Sequence, residues 1–176
     1  MNTLLWFLIR PVIWVRRGRL LPAQLPDPIW YFAYGSNMNE RLFRERRHMV
    51  WREARIGRIS DYRLVFTGAG GMRPGVSAPA NIVEAPGEAV HGVLYLLPLR
   101  KFLRLDNSEG RQYGYLWTEA EDTAGNRLPM ATFKVPHAVP EGRPGRRYLD
   151  LIREAARQRC LPADYIAMLD RVEPRA

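Results

Sequence analysis

The 176-residue chain has one cysteine, Cys160, which excludes an intrachain disulfide and any zinc site built on cysteine thiolates. A chain of this length can bury a core without such staples, and its thiol economy suits a reducing, cytoplasmic setting. Histidine is nearly as scarce. His48, His91 and His137 lie far apart, with no spacing that would bring a pair onto one metal ion. Lysine is confined to Lys101 and Lys134, so the formal net charge of +9 is carried almost wholly by arginine. Acidic residues are missing from residues 1–26, which hold Arg10, Arg16, Arg17 and Arg19. Also missing is any apolar run long enough to cross a bilayer. Residues 3–15 are mostly apolar, but a helix of that length covers only ~20 Å of a ~30 Å hydrocarbon core, and Arg10 and Pro11 interrupt it. No basic residue precedes the run and no Ala-x-Ala site follows, so it is a poor fit to a secretory signal. There is no internal repeat and no low-complexity tract.

What these absences leave is a globular chain with a distinct amino-terminal segment. Residues 1–21 read as a short apolar helix. Trp6 and Trp14 suit the headgroup level of a membrane, and the arginines suit anionic lipid at the inner face of the membrane. Two alternatives stand: residues 3–19 rest on an anionic membrane surface, or the segment packs on its own domain or a partner chain. Pro22, Pro26 and Pro28 then read as a stiff linker over 22–28, ahead of a domain over 29–176. Positive charge also suits nucleic acid, but no RNA-binding or helix-turn-helix signature accompanies it, and no nucleic-acid partner is expected.

Within the domain, a continuous apolar and aromatic run at 29–34 reads as a buried strand, broken by Gly35-Ser36-Asn37. A helix over 39–47 follows, with Leu42 and Phe43 inward and Arg41, Arg44, Arg46 and Arg47 on a solvated face. Strands are expected at 62–67, 80–83, 90–96, 113–118 and 130–135, with a short helix at 99–105. Gly68-Ala69-Gly70-Gly71 and Ala124-Gly125-Asn126 supply turns. Tyr148, Leu151, Ile152 and Ala155 make an apolar helical stripe, and Tyr165, Met168, Leu169 and Val172 make another. Strands first and helices last give an α+β class with a curled or closed sheet. Cys160 and the tryptophans at 30, 51 and 117 read as packing residues.

Two places in this pattern could carry chemistry. A strand, then Gly35-Ser36-Asn37, then a helix start exposes backbone N–H groups that attract a carboxylate or a developing oxyanion. By itself the same pattern is also that of a plain turn and N-cap. Glu109, between a short helix and a strand, could act by turns as base and acid, although taken alone it reads first as a solvated loop residue.

Together they form a recognisable order. Tyr31-Phe32-Ala33-Tyr34-Gly35-Ser36-Asn37-Met38 resembles the opening signature of the γ-glutamylcyclotransferase (AIG2-like) family. Leu105-Asp106 with Glu109-Gly110 and Gly114 resembles the stretch holding that family's catalytic glutamate. Ala80-Asn81-Ile82-Val83, Gly92-Val93-Leu94-Tyr95, Tyr148–Ile152, Leu161-Pro162 and Tyr165 resemble its intervening strands and carboxy-terminal helices. The resemblance implies a small mixed β-barrel flanked by helices, working without metal or organic cofactor. It implies that a γ-glutamyl α-amine attacks its own γ-carbonyl, releasing 5-oxoproline and a free amine, with Glu109 as general acid and base. Tyr31, Phe32, Ala33, Tyr34, Gly35, Ser36, Asn37 and Tyr148 would bind the γ-glutamyl substrate.

The chain departs from the family at three points. Phe133 stands where a tyrosine is usual, Tyr115 lies one place early with Leu116 in the usual position, and Ala155 replaces a common glycine. These departures leave room for an alternative, a catalytically silent domain of this fold that serves as a binding or scaffold unit at the membrane.

Overall fold

The computed structural model describes residues 12–16, 19–22, 24–67, 77–110, 112–136 and 142–175. Val12–Arg16 (β1) and Arg19–Pro22 (β2) pair antiparallel as a two-stranded sheet, with Arg16 opposite Arg19. The apolar helix expected here is therefore a hairpin in its described part. Val12, Ile13 and Val15 are β-branched and stiff at χ1, which favours extended backbone. Pro22 belongs to β2 and not to a linker. Residues 3–11 of the expected anchor, and the glycine turn at 68–71, lie outside the described residues. No described helix is long and apolar enough to cross a membrane.

Five strands close a barrel: Ile29–Ala33 (β3), Glu53–Phe66 (β4), Ala80–Leu97 (β5), Gly114–Asp122 (β6) and Arg127–Lys134 (β7), in the order β3-β5-β4-β6-β7. All neighbours are antiparallel except the closing pair, where β3 meets β7 in parallel through Trp30↔Met130 and Tyr31↔Ala131. The strands expected at 80–83 and 90–96 are one strand, β5, that bulges opposite Ser60 and Tyr62. The strand expected at 62–67 is the far half of β4. Its first half escapes an apolar-run criterion because arginines face outward, where Arg55 bonds Glu53 and Asp122, and Arg58 bonds Glu121. The β6–β7 hairpin turns at Gly125, whose φ of +82° suits glycine.

Helices Leu99–Ser108 (α1), Arg146–Gln158 (α2) and Ala163–Arg171 (α3) flank the barrel. In α2 the buried stripe is Leu149, Ile152, Ala155 and Ala156. Tyr148 and Leu151, expected inward, are only partly buried, because Tyr148 turns toward the mouth of the barrel. Phe32, Phe43, Tyr95 and Phe102 are fully buried in one core, where Phe102 stacks on Phe133 at 5.7 Å and Phe43 meets Tyr95 at 4.7 Å. Trp30, Trp51 and Trp117 sit at its rim. Cys160 is exposed at the end of α2 with φ of 52°, so it does not pack.

The helix expected over 39–47 is a π-helical turn, Leu42–Arg46, in which the Arg47 amide donates to the Leu42 carbonyl at 3.1 Å. Asn39 starts it, its Oδ1 accepting the Leu42 amide at 3.0 Å.

Candidate active site

At the end of β3 the chain leaves the barrel through Tyr34-Gly35 and makes a single 3₁₀ turn, Ser36–Met38. Glycine at position 35 follows from crowding. A Cβ there would lie 3.3 Å from both the Ala80 Cβ and the Tyr148 hydroxyl. The turn thus lies close to the start of β5 and the first turn of α2. Tyr148 is fixed in place by the Ala80 amide, which donates to its hydroxyl at 3.1 Å.

Glu109 follows α1 directly. Its amide donates to the carbonyls of Leu105 and Asp106 at 3.2 Å, and its extended backbone turns the carboxylate back toward β3. The side chain is 13% exposed. The Asn37 Nδ2 lies 3.5 Å from the Glu109 Oε1 and donates to the Tyr31 hydroxyl at 2.9 Å, while the buried Asn37 Oδ1 has no donor among the described residues. The Arg47 Nη1 lies 3.6 Å from the same Glu109 Oε1 and donates to the Ser108 hydroxyl at 2.8 Å.

These groups surround a cavity of about 160 Å³. Tyr31, Tyr34, Gly35, Ser36, Asn37, Glu109 and Tyr148 line it, so the structure brings together most of the residues singled out from sequence. Phe32 and Ala33 do not line it. Both are buried in the barrel, where the Phe32 carbonyl accepts from Thr132 at 2.7 Å and the Ala33 carbonyl faces Gly92. They anchor the strand that carries Tyr31 and Tyr34.

Phe133 contributes its ring to the cavity wall, and its carbonyl accepts a short hydrogen bond from the Tyr34 hydroxyl. Tyr115 is not at the cavity. It packs against Phe102, Phe133 and Trp117 instead. Besides Pro79 and Ala80, where β5 begins, two lining residues escape the sequence reading. Tyr113 is one, placed by the turn after Glu109-Gly110. Arg47 is the other, expected on a solvated face; the wider π-helical turn carries it off the 3.6-residue stripe on which Arg41 and Arg44 remain.

The phenols are kept protonated. Burial, and then the charge of Glu109, push the Tyr31 hydroxyl well above the usual tyrosine range. Burial likewise raises Tyr34, Tyr113 and Tyr148, the last opposed by the Ala80 amide. The cavity therefore presents neutral O–H donors around one carboxylate and one guanidinium. Among the described residues no cluster of His, Cys, Asp or Glu could hold a metal ion.

Comparison with known proteins agrees with this architecture. Residues 89–169 match the AIG2-like family model. The chain is 30% identical to the γ-glutamyl cyclotransferase aclK of Aspergillus oryzae, over 88% of this chain and 66% of that relative. It thus spans slightly less than two thirds of that protein's length. It is also 30% identical to the γ-glutamyl cyclotransferase gliK of Aspergillus fumigatus, over 86% of this chain and 67% of the relative. A solved γ-glutamyl cyclotransferase structure superposes with a TM-score of 0.76 at 22% identity, covering 85% of this chain and 90% of that one. Fold and sequence agree that the chain belongs to the γ-glutamylcyclotransferase (AIG2-like) family.

Proposed function

We propose that the protein is a γ-glutamyl cyclotransferase in which Glu109 moves the protons. The observation that carries this reading is the carboxylate of the cavity: Glu109 is the one acidic residue among its described lining, set beside the Tyr31 and Tyr148 phenols. An α-ammonium group suits that carboxylate. Glu109 takes one of its protons, freeing the nitrogen lone pair to attack the γ-carbonyl carbon of the same glutamyl unit. The carbonyl electron pair moves onto oxygen. As the tetrahedral intermediate collapses, the bond to the departing nitrogen breaks and Glu109 returns its proton to that nitrogen. The nitrogen that has closed the ring gives up its extra proton to the freed amine, so the products are 5-oxoproline and the amine in its ammonium form.

Ring closure is intramolecular, so the protein's main tasks are to hold the bent near-attack shape and to offer donors to the developing oxyanion. Tyr31 and Tyr148 each accept a protein N–H group and keep their own protons for the substrate. The backbone amides around Gly35 and Ser36 suit a second anionic group, the glutamyl α-carboxylate. The test is release of 5-oxoproline from a panel of γ-glutamyl conjugates. The Glu109→Gln variant, shown by circular dichroism to be folded, should lose at least about 100-fold in kcat. Turnover that survives this change would remove Glu109 from the chemistry.

A further inference from the structure

Arg41 and Arg44 lie exposed and make i,i+4 ion pairs with Glu45 and Glu40. Arg47, at the end of the same turn, behaves differently. Its side chain is 29% exposed, it enters the cavity wall, and it is the one lysine or arginine among the described residues lining that wall. Its orientation is set by the Ser108 hydroxyl, which accepts from Nη1 at 2.8 Å and itself donates to the Leu105 carbonyl at 2.7 Å. The Nε and Nη2 groups have no acceptor among the described residues, although a guanidinium carries five donors in a fork suited to a carboxylate.

The position of Arg47 relative to Glu109 gives it a direction. The Arg47 Nη1 lies 3.6 Å from the Glu109 Oε1, and Arg47 is the more exposed of the two side chains, 29% against 13%. If Glu109 returns its proton to the departing nitrogen, that nitrogen must come to the carboxylate and so beside Arg47. In an amino-acid leaving group the carboxylate carbon is two bonds from that nitrogen, about 2.5 Å away. This brings a carboxylate within reach of the guanidinium.

We propose that Arg47 is a specificity-determining residue that selects γ-glutamyl conjugates whose departing nitrogen bears a carboxylate on its adjacent carbon. The inference rests on the cyclotransferase reading, and it assigns to the leaving group a contact that the Gly35–Ser36 turn makes with the glutamyl end.

The experiment compares γ-glutamyl-L-alanine with γ-glutamyl-L-alaninamide, which has the same shape without the charge. For the unaltered protein, kcat/KM should favour the carboxylate by about 10- to 100-fold, as expected for a charge-assisted bidentate pair. In Arg47→Gln the ratio should fall to about one, whatever factor both substrates lose in common. Arg47→Lys should retain an intermediate ratio, because a point charge replaces the fork. An equal loss on both substrates in Arg47→Gln would overturn the inference, since Arg47 would then serve the glutamyl end or the fold. A ratio near one in the unaltered protein would overturn it and leave the cyclotransferase reading standing. Absence of 5-oxoproline from both conjugates would overturn both.

Discussion

Asn81 offers a quantitative test of how the cavity is held together. It is fully buried at the start of β5, and its side chain clamps one residue just beyond β7. The Nδ2 donates to the Val135 carbonyl at 3.1 Å, and the Oδ1 accepts the Val135 amide at 2.9 Å. The clamp ties together two walls of the cavity, because Ala80 precedes Asn81 and Phe133 lies two residues before Val135. Replacing Asn81 by Ala leaves a backbone donor and a backbone acceptor without partners in a site shielded from water. Each costs about 1–3 kcal/mol, so the loss should be about 2–6 kcal/mol. With a urea slope of about 2 kcal/mol/M, the midpoint should fall by about 1–3 M at 25 °C. The protein should remain folded in water if its stability lies in the usual range of about 5–15 kcal/mol. Urea denaturation followed by circular dichroism reads the change, and 5-oxoproline release reads its effect on the cavity. A midpoint shift below about 0.3 M with an unchanged slope would mean that water replaces the amide, and the clamp argument would fail.

Two further outcomes follow from the barrel. A methyl group at Gly92 would press into the Ala33 carbonyl oxygen and lie 2.8 Å from the Phe32 ring, so Gly92→Ala must push β3 away from β5. It should cost more than about 3 kcal/mol and yield mostly insoluble protein; a soluble variant with an unchanged melting temperature would contradict the pairing of Ala33 with Val93. The second concerns acid. The Asn126 side-chain amide, with the Arg55 guanidinium and the Asn126 and Ala124 backbone amides, holds the Asp122 carboxyl down to about 2 against the opposing effect of burial. Because its folded value lies below its unfolded one, its contribution is complete above about pH 4 and drains away as pH falls toward 2. Melting temperature should fall over that window less steeply in Asp122→Asn than in the unaltered protein, and parallel slopes would refute the assignment.

Much of this structure is legible in the sequence because its signals are local. Tyr31 to Met38 is a strand, a glycine at a crowded turn and a short helical turn, all read over eight residues. Glu109 is found by the helix that ends beside it. The illegible parts depend on partners remote in sequence. The arginine-bearing half of β4 is a strand because β5 and β6 pair with it, and its own pattern conceals that. Arg47 falls on a solvated face by spacing alone, because a periodicity of 3.6 residues does not hold through a π-helical turn. Val12–Arg16 reads as helix from its hydrophobicity, whereas its β-branched residues find an antiparallel partner in β2. Phe32 and Ala33 share the signature with the cavity residues, but Phe32 alternates to the face opposite Tyr31, and the Ala33 carbonyl packs against Gly92.

The parallel seam between β3 and β7 has a consequence for how activity is acquired. It joins Trp30 to Met130, closing a loop of about a hundred residues, the kind of long-range contact whose entropic cost is met late. The same seam carries the Thr132 bond to Phe32 and the Tyr34 bond to Phe133, so the cavity exists only once the ends of the sheet have met. Secondary structure could form along every strand and helix while the protein remained inert. Turnover, measured during refolding, would therefore serve as a clock for ring closure itself.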